Sequence, residues 1–283
     1  MSSNNKYSTI INNSTCPPNP CKGYEGSVKL NPYDVIGRLI PEKLIKETVG
    51  FVDGKEKKAI VVWGTNITSL VGRGKITNKE SKMIKLPSYQ YSVVIGMLLS
   101  DGWLTFSNSR NTNARLGFSQ SEGNSMYVWY VFTILSPYCF SYPVYRVRKY
   151  QGKLLYTLQF FTRALSGFTE LHSLFYPKGV KLIPKDIYSL LTPVALAHLI
   201  MGDGAARKHG LILCTDSYTI FDIVRLMNVL MIKYRLDCTL RHHTSTQLRI
   251  YIKEGSMPTL RNIVRPYIFE SMLYKIDPFY SNN

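Results

Sequence analysis

The sequence has few acidic residues for its size. Asp and Glu together number 18 against 35 Lys and Arg, which leaves a formal net charge of +17 at pH 7. Because self-repulsion destabilises a compact chain, such an excess indicates a polyanionic partner rather than a folding device. Nucleic acid is the first interpretation; an anionic membrane surface and a ribosomal-type structural role are the alternatives. A hydrophobic content of 45% over 283 residues argues against wholesale disorder and allows one large or two ordinary domains.

Long apolar runs and paired cysteines are also missing. No run reaches the roughly 18 apolar residues of a membrane-spanning helix, so we expect no such helix. We expect nucleic acid rather than a membrane as the partner. Five cysteines, an odd number, make no disulfide framework and favour a reducing compartment. Cys139, Cys214 and Cys238 lie in apolar stretches of sequence, and we expect all three to be buried thiols in apolar surroundings.

Two small-molecule sites lack the residues that would complete them. Cys16 and Cys21 are spaced too loosely for a zinc knuckle, and no second Cys pair or His pair completes one. The run Gly72-Arg-Gly-Lys75 lacks the Gly-Lys-Ser/Thr spacing of a phosphate loop, and no helix is predicted after it. The N-terminus has neither the apolar core of a signal peptide nor an Arg-rich transit pattern.

What the sequence does contain is one pattern written twice. Val94-Ile-Gly-Met-Leu-Leu-Ser-Asp-Gly102 and Leu196-Ala-His-Leu-Ile-Met-Gly-Asp-Gly204 are apolar helical runs that end in a small residue, Asp and Gly. Asp101 and Asp203 lie about 100 residues apart, the length of a small domain. A single Asp before Gly is an ordinary helix ending. Two carboxylates at negative helix ends are instead tolerable when divalent cations bind between them.

The segments that follow each motif also repeat. Each half predicts the order helix, two strands, helix, two strands, helix, and the halves end alike at Gly-Val-Lys181-Leu-Ile-Pro and Leu-Tyr-Lys275-Ile-Asp-Pro. This order indicates an α+β fold of two halves about an approximate two-fold axis. Gly96 gives the first motif helix a small-residue face for close packing, whereas His198 stands at the matching position of the second.

From residue 88 to residue 278 the chain resembles the LAGLIDADG homing endonucleases, in the single-chain form with two motifs. The type encoded in mitochondrial introns commonly has a second motif close to the one at Leu196–Gly204. The resemblance implies two pseudo-symmetric αββαββα halves, with antiparallel sheets that form a DNA-binding saddle and motif helices at the central interface. It divides the chain into an N-terminal extension, partly flexible (1–87), and two halves (88–186 and 187–283). A mitochondrial monomer is expected.

The resemblance also implies a reaction: Mg²⁺-dependent hydrolysis of both strands of a DNA duplex at the intron-insertion site. Two or three divalent ions would share the centre, with Mn²⁺ as a substitute. Its metal ligands would be Asp101 and Asp203, with the backbone carbonyls of Ser100 and Gly202. Four further residues would assist catalysis, the basic pair Lys181 and Lys275 and the polar strand pair Gln120 and Thr215. For each lysine, a solvated side chain before a turn is the alternative.

Contacts to DNA are expected from the strands, because alternate side chains of each strand would face the groove. The basic residues on or between the predicted strands are Arg110, Arg115, Arg146, Arg148, Lys149, Lys153, Arg207, Lys208, Arg241, His243, Arg249 and Lys253. Adjacent strand histidines point to opposite faces, so His242 and His243 predict no zinc site. Some of these side chains would contact only phosphates, which sets affinity rather than sequence choice.

A second function fits the same sequence. Some relatives of this kind are maturases, which bind their host group I intron RNA and help it fold and splice, alone or in addition to cleaving DNA. RNA binding needs neither the aspartates nor the lysines, so the presence of both pairs favours a nuclease. A basic structural protein of a ribonucleoprotein would explain the charge but not the paired motifs.

Overall fold

The structure, a computed structural model, describes residues 69–107, 112–151, 153–245 and 247–277. Arg110, the pair Cys16 and Cys21, and most of the N-terminal extension lie outside the described residues. Within these ranges, no helix combines the length and the apolar composition that crossing a bilayer requires.

The first half follows the predicted order. Its helices are α2 (Ser88–Leu99), α3 (Ser125–Leu135) and α4 (Ser166–Phe175), and its strands are β1 (Trp103–Thr105), β2 (Arg115–Ser121), β3 (Val144–Tyr150) and β4 (Lys153–Phe161). A short helix, α1 (Asn78–Met83), precedes the half. The expectation that no helix follows Gly72-Arg-Gly-Lys75 was therefore wrong. Thr77 and Glu80 cap α1 through reciprocal side-chain bonds to each other's backbone N–H, a capping box that fixes the start of this short helix.

The second half repeats the first. After the short linking helix α5 (Ile187–Leu190), it contains helices α6 (Pro193–Asp203), α7 (Ile220–Tyr234) and α8 (Met257–Val264), and strands β5 (Gly204–Arg207), β6 (Gly210–Leu213), β7 (Cys238–His242) and β8 (Leu248–Lys253). Helix α6 begins where Pro193 follows the N-cap Thr192, whose hydroxyl accepts from the Ala195 N–H. The predicted αββαββα order is confirmed in both halves.

Each half contains one four-stranded antiparallel sheet, in the orders β1-β2-β4-β3 and β5-β6-β8-β7. Trp103 pairs with Gly117 in the first sheet, and Ala205 pairs with Ile212 in the second. Because both pairs begin two residues after a motif Asp, counting forward from them aligns Gln120 with Thr215. The expected correspondence between these two residues is confirmed.

One face of each sheet packs against helices, and we call the opposite face the outer face. The inward side chains are apolar and buried: Leu116, Phe118, Leu158 and Phe160 in the first sheet, and Leu211, Leu213, Ile250 and Ile252 in the second. Between the halves lie α2 and α6, which are buried on every side over Ser92–Leu99 and Ala195–Met201. Helices that are apolar all round belong at such a centre.

The packing of α2 on α6 depends on one glycine. A Cβ at Gly96 would collide with the Ala195 carbonyl oxygen and lie 2.5 Å from the His198 Cβ. Gly96 and His198 are equivalent positions of the two motifs, so they face each other across the helix crossing. The histidine is accommodated because its partner has no side chain, and the helices remain tightly packed.

Candidate active site and nucleic-acid interface

The two motif carboxylates lie at adjacent helix ends. Asp203 is the last residue of α6, and Asp101 follows the end of α2 by two positions. A Cβ at Gly202 would lie 2.5 Å from the Ser100 Cβ and 3.0 Å from Asp101 Oδ2. Only a glycine at this position allows the two ends to approach so closely. The sequence prediction that both motifs meet at one centre is therefore consistent with the packing.

The two carboxylates differ in their surroundings. Asp101 is exposed, whereas Asp203 is half-buried. Burial raises the pKa of Asp203 to about 7, and the negative charges of Asp101 and Asp216 add to this rise while Lys181 and Lys275 oppose it. The folded chain thus holds a carboxylate whose charge is incompletely compensated at neutral pH.

Both predicted lysines reach this centre. The Lys181 ammonium donates to the carbonyl oxygens of Ser100 and Gly102, each at 2.8 Å. The Lys275 ammonium donates to the carbonyl oxygen of Gly202 at 3.1 Å. Each lysine therefore binds the C-terminal end of its own half's motif helix, where unpaired carbonyls and the negative end of the helix dipole favour a cation.

The pKa values of the lysines report the same proximity. Burial lowers the pKa of Lys181 to about 8, and burial also lowers the pKa of Lys275. In both cases the negative charges of Asp203 and Asp101 oppose the effect of burial. Two carboxylates and two ammonium groups therefore act on one another within a single centre.

The predicted strand residues have different positions. Gln120 Nε2 donates to Asp101 Oδ2 at 2.5 Å, and Asn124 Nδ2 donates in turn to Gln120 Oε1 at 3.3 Å. The counterpart of Gln120, Thr215, is buried, and its hydroxyl donates to the Leu248 carbonyl oxygen at 2.8 Å. A catalytic role for Thr215 stays a prediction, and the structure gives its hydroxyl a backbone partner instead.

Cys214 differs from its expected environment. It is half-buried, and Asp203, Asp216, Arg249 and Lys275 all act on the pKa of its thiol, which burial raises. The expectation of a buried thiol in apolar surroundings was wrong here, because the last residues of β6 lead directly into the centre. For Cys139 and Cys238 the expected burial is confirmed.

An ion pair beside the centre was not foreseen. Arg249 donates to Asp216 from Nε at 2.8 Å and from Nη2 at 2.5 Å, so the guanidinium is held along one edge. The negative charge of Asp216 raises the pKa of Asp203, in addition to the effects of burial and of Asp101. The sequence around Asp216, Thr-Asp-Ser, shows no pattern that would identify Asp216 as part of the site. Only the pairing of strands beside the motif Asp brings Asp216 close to Asp203.

The second half also binds the end of the first motif helix. The Tyr218 hydroxyl donates to the carbonyl oxygen of Leu99 at 3.1 Å. Tyr218 lies in the segment before α7, far from α2 in sequence. It links the halves beside the two carboxylates, and no local sequence pattern predicts such a contact.

Most of the predicted DNA-contacting residues share the outer faces. Strand register places Arg115, Arg146, Arg148 and Lys153 on the outer face of the first sheet, and Arg207, Arg241, Arg249 and Lys253 on that of the second. As expected, Arg146 shares a face with Arg148, and Arg249 shares one with Tyr251.

Several of these basic groups have partners in the protein. The Arg115 guanidinium lies 4.1 Å from the Phe161 ring centroid, and that of Arg241 lies 3.5 Å from the Tyr251 ring centroid. Lys253 donates to Asp237 at 2.9 Å.

Other predicted residues lie elsewhere. Lys149 pairs with Leu154, and its side chain points away from the face that holds Arg146 and Arg148. Lys149 and Leu154 are nevertheless exposed. Lys208 lies in the turn between β5 and β6, and His243 follows the end of β7. Among the described residues, no group of three or more His, Cys, Asp or Glu side chains is arranged to hold a metal ion.

Comparison with known proteins gives a consistent result. The model of the LAGLIDADG DNA endonuclease family matches residues 91–260. A protein of Debaryomyces hansenii named cytochrome b mRNA maturase bI2 is 31% identical over 212 residues, which cover 71% of this chain and 80% of that protein. Its Saccharomyces cerevisiae namesake is 33% identical over 197 residues, and the match covers 65% of this chain but only 46% of that relative.

A solved structure is similar over most of the described fold. The homing endonuclease I-WcaI bound to its DNA recognition sequence superposes with a TM-score of 0.66 at 26% identity, and the match covers 73% of this chain and 96% of that one. Together with the duplicated αββαββα halves and the paired motif aspartates, the match to the family model leads to one conclusion. The chain belongs to the LAGLIDADG DNA endonuclease family.

Proposed function

We propose that the chain is a homing endonuclease that hydrolyses both strands of a DNA duplex at the insertion site of its own intron, with Mg²⁺ as cofactor. One observation carries the proposal. Two carboxylates and two ammonium groups meet at one centre, between two sheets whose outer faces hold basic side chains. Cleaving a polyanion needs both features, whereas binding one needs only the second.

The donor set fits a hard divalent cation. Asp101 and Asp203 offer carboxylate oxygens, and the carbonyls of Ser100 and Gly202 face the same centre, where they accept from Lys181 and Lys275. Mg²⁺ is held in proteins by few carboxylates, with waters and substrate phosphate as the remaining ligands. When bound, it would acidify the attacking water and stabilise the leaving oxygen, with Mn²⁺ as a substitute and two or three ions in the shared centre.

The remaining groups have distinct tasks. The ammonium groups of Lys181 and Lys275 stabilise negative charge that develops on the scissile phosphates. Burial lowers the pKa of both lysines, and that of Lys181 to about 8. Gln120 orients the Asp101 carboxylate through its amide. Basic residues of the outer faces bind phosphates or base edges, in the manner of other sheet-based DNA readers.

The domain organisation proposed here follows from this assignment. Residues 88–186 and 187–283 form the two halves, each with one motif Asp and one lysine, and residues 1–87 form an extension. The relative of known structure, I-WcaI, is bound to DNA, which supports a duplex as partner. Monomeric action in the mitochondrion is part of the proposal, and the cytochrome b mRNA in the relatives' names supports the compartment.

The test is cleavage of a duplex that spans the uninterrupted insertion site, with Mg²⁺ or EDTA. Wild type should cut both strands. Asp101→Asn and Asp203→Asn should each lose cleavage of both strands, by about a thousandfold or more, because the carboxylates serve one shared centre. Glu170→Gln, an exposed carboxylate on α4, is the matched control and should cleave normally. A wild-type protein that binds this duplex but never cuts it contradicts the proposal.

A second function is favoured by the relatives' names. Two relatives at 31% and 33% identity are called mRNA maturases, so we propose that the chain also assists splicing of its host group I intron. Splicing of that intron in vitro, with and without the protein, measures this directly. Asp101→Asn should abolish DNA cleavage and leave splicing unchanged, because RNA binding does not require the carboxylate.

A further inference from the structure

A second basic surface lies outside the sheets. Residues 72–85, which we call the strap, contain five exposed cations: Arg73, Lys75, Lys79, Lys82 and Lys85. Within the described part of the chain, none of the five forms an ion pair. The single acidic residue of the strap is Glu80, whose carboxylate accepts from the Thr77 N–H in the capping box of α1. Five cations against one carboxylate leave the strap with a net positive charge.

The backbone of the strap is fixed to the first half. Arg163, which is buried, donates to the carbonyl oxygens of Leu70, Arg73 and Gly74 at 2.7 to 2.9 Å. The Gly72 N–H donates to the Phe140 carbonyl oxygen at 3.0 Å. These bonds hold the chain leading into α1 in one conformation. Cations on an ordered backbone lose less entropy on binding than cations on a free tail.

Helix α1 then orients the lysines. Ser81 and Ile84 are buried, and the Ser81 hydroxyl donates to the Ala164 carbonyl oxygen at 3.1 Å. Lys79 and Lys82 are three residues apart and exposed, so they share the opposite side of the helix. One side of α1 therefore packs on the protein, and the opposite side presents the two lysines to solvent.

The strap lies on the helical side of the first sheet. Helix α1 packs on α4, and α4 buries Phe168, Leu171 and Phe175 against the inward face of that sheet. Arg146 and Arg148 lie on the outer face, on the other side of the same sheet. A duplex that follows the outer faces therefore contacts one side of the half, and the strap faces away from it.

We propose that the strap binds the phosphate backbone of a folded RNA, the transcript of the host intron, separately from the DNA surface. The inference rests on the maturase part of the proposed function. Residues 72–85 lie outside the segment 91–260 that the family model matches. Two separate polyanion surfaces would let RNA binding and DNA cleavage proceed without competing for the same residues.

The experiment compares three variants of the full chain. The first is Lys79→Gln/Lys82→Gln/Lys85→Gln in the strap. The second removes three exposed charges elsewhere, Lys178→Gln/Lys185→Gln/Arg265→Gln. The third is Arg146→Gln/Arg148→Gln on the outer face. Each is measured by filter binding, over a range of salt, to the intron transcript and to the duplex that spans the insertion site.

The strap variant should lose about tenfold to a hundredfold in RNA affinity. For RNA, its plot of log affinity against log salt should be shallower than that of wild type, by about 2 to 3 in the magnitude of the slope. Its DNA affinity and DNA cleavage should stay within about twofold of wild type. The second variant should match wild type with both ligands. The outer-face variant should show the reverse pattern, with weaker DNA binding and unchanged RNA binding.

Three results overturn the inference: unchanged RNA affinity of the strap variant, an equal loss of RNA and DNA affinity, or a wild type that binds the transcript no better than random RNA. An equal loss would assign the strap to the flanks of the DNA target. If the wild type binds no RNA but cuts its duplex, the endonuclease proposal survives alone. If it never cuts DNA but binds RNA through the strap, the inference survives alone.

Discussion

The two halves share a backbone plan but not a chemistry. In the first half, an exposed Asp101 accepts a hydrogen bond from the amide of Gln120. In the second, a half-buried Asp203 lies near Cys214 and the ion pair of Asp216 with Arg249. The register equivalents of these second-half residues in the first half are Ser119, Ser121 and Gln159, all uncharged. The scaffold fixes where the centre lies, and the side chains make its two sides unequal.

The helix crossing shows why a single chain permits this inequality. Helices that cross at a two-fold axis place equivalent positions against each other, and in a homodimer each residue would meet its own copy. Here Gly96 faces His198, and Ser100 faces Gly202. Each pair contains one glycine, so the helices approach closely while one half retains a larger side chain. Duplication within one chain lets small and large residues alternate across the axis.

Among the changes that compare the two halves, the largest effect should come from the lysines, and it should be unequal. Lys181 is the more deeply placed and donates to two carbonyls, whereas Lys275 donates to one. We expect Lys181→Met to lower the single-turnover cleavage rate by about 10²–10³-fold, with a smaller loss for Lys275→Met. Duplex affinity, measured in Ca²⁺, should change little. Equal effects of both substitutions would show that burial does not distinguish the two halves.

The helix crossing can be broken directly. Gly96→Ala should destabilise the fold by roughly 3 kcal/mol, because its Cβ meets a backbone carbonyl that cannot rotate away. The measurement is urea unfolding followed by circular dichroism. Gly167→Ala on α4, whose added Cβ meets open space, is the matched control and should not destabilise. Adding His198→Ala to Gly96→Ala should not restore stability, since the collision with Ala195 remains; full rescue would contradict the packing.

The ion pair of the second half should bias the two strands. Because Asp216 holds one edge of the Arg249 guanidinium, we expect Asp216→Asn to misalign this group and slow cleavage of one strand by about tenfold. The other strand should be cut at the normal rate, so nicked plasmid should accumulate. Gln159→Ala, at the first-half position that matches Arg249, should not slow that same strand. Equal slowing of both strands by Asp216→Asn would argue for a general structural role.

The smallest expected effect concerns the pKa of Asp203. Its folded value of about 7 lies above the ordinary value of 3.8, so ionised Asp203 costs stability, and the cost grows as the pH rises from about 4 through 7. In EDTA, Asp203→Asn should therefore raise Tm by about 2–4 °C at pH 8 and by less at pH 5. Asp101→Asn, at an exposed position, should change Tm less. A lower Tm for Asp203→Asn at pH 8 would contradict the sign.

Much of the architecture followed from local patterns. Apolar periodicity and turn residues predicted the order of elements in both halves. Short elements were harder. Helices α1 and α5 contain six and four residues, too few for a periodic pattern to stand out. Helix α1 is fixed by its capping box and by packing on α4, which a hydrophobic pattern does not report.

The site divides in the same way. The repeated Asp and the trailing lysine of each half were visible because duplication writes a pattern twice. The environment of Cys214, the ion pair of Arg249 with Asp216 and the hydroxyl contact of Thr215 had no such repeated pattern. Each depends on which residues of separate strands become neighbours in the fold. No local sequence pattern reports that proximity.

By itself, the sequence determined the excess of positive charge, the duplicated motif and the order of elements, because composition, spacing and periodicity are properties of the chain. Only the tertiary structure decided that Gly96 makes room for His198, that the lysines bind the helix ends beside Asp101 and Asp203, and that the halves differ in burial. Those outcomes depend on close packing between segments about 100 residues apart, where a single Cβ or a buried charge changes which arrangement is stable.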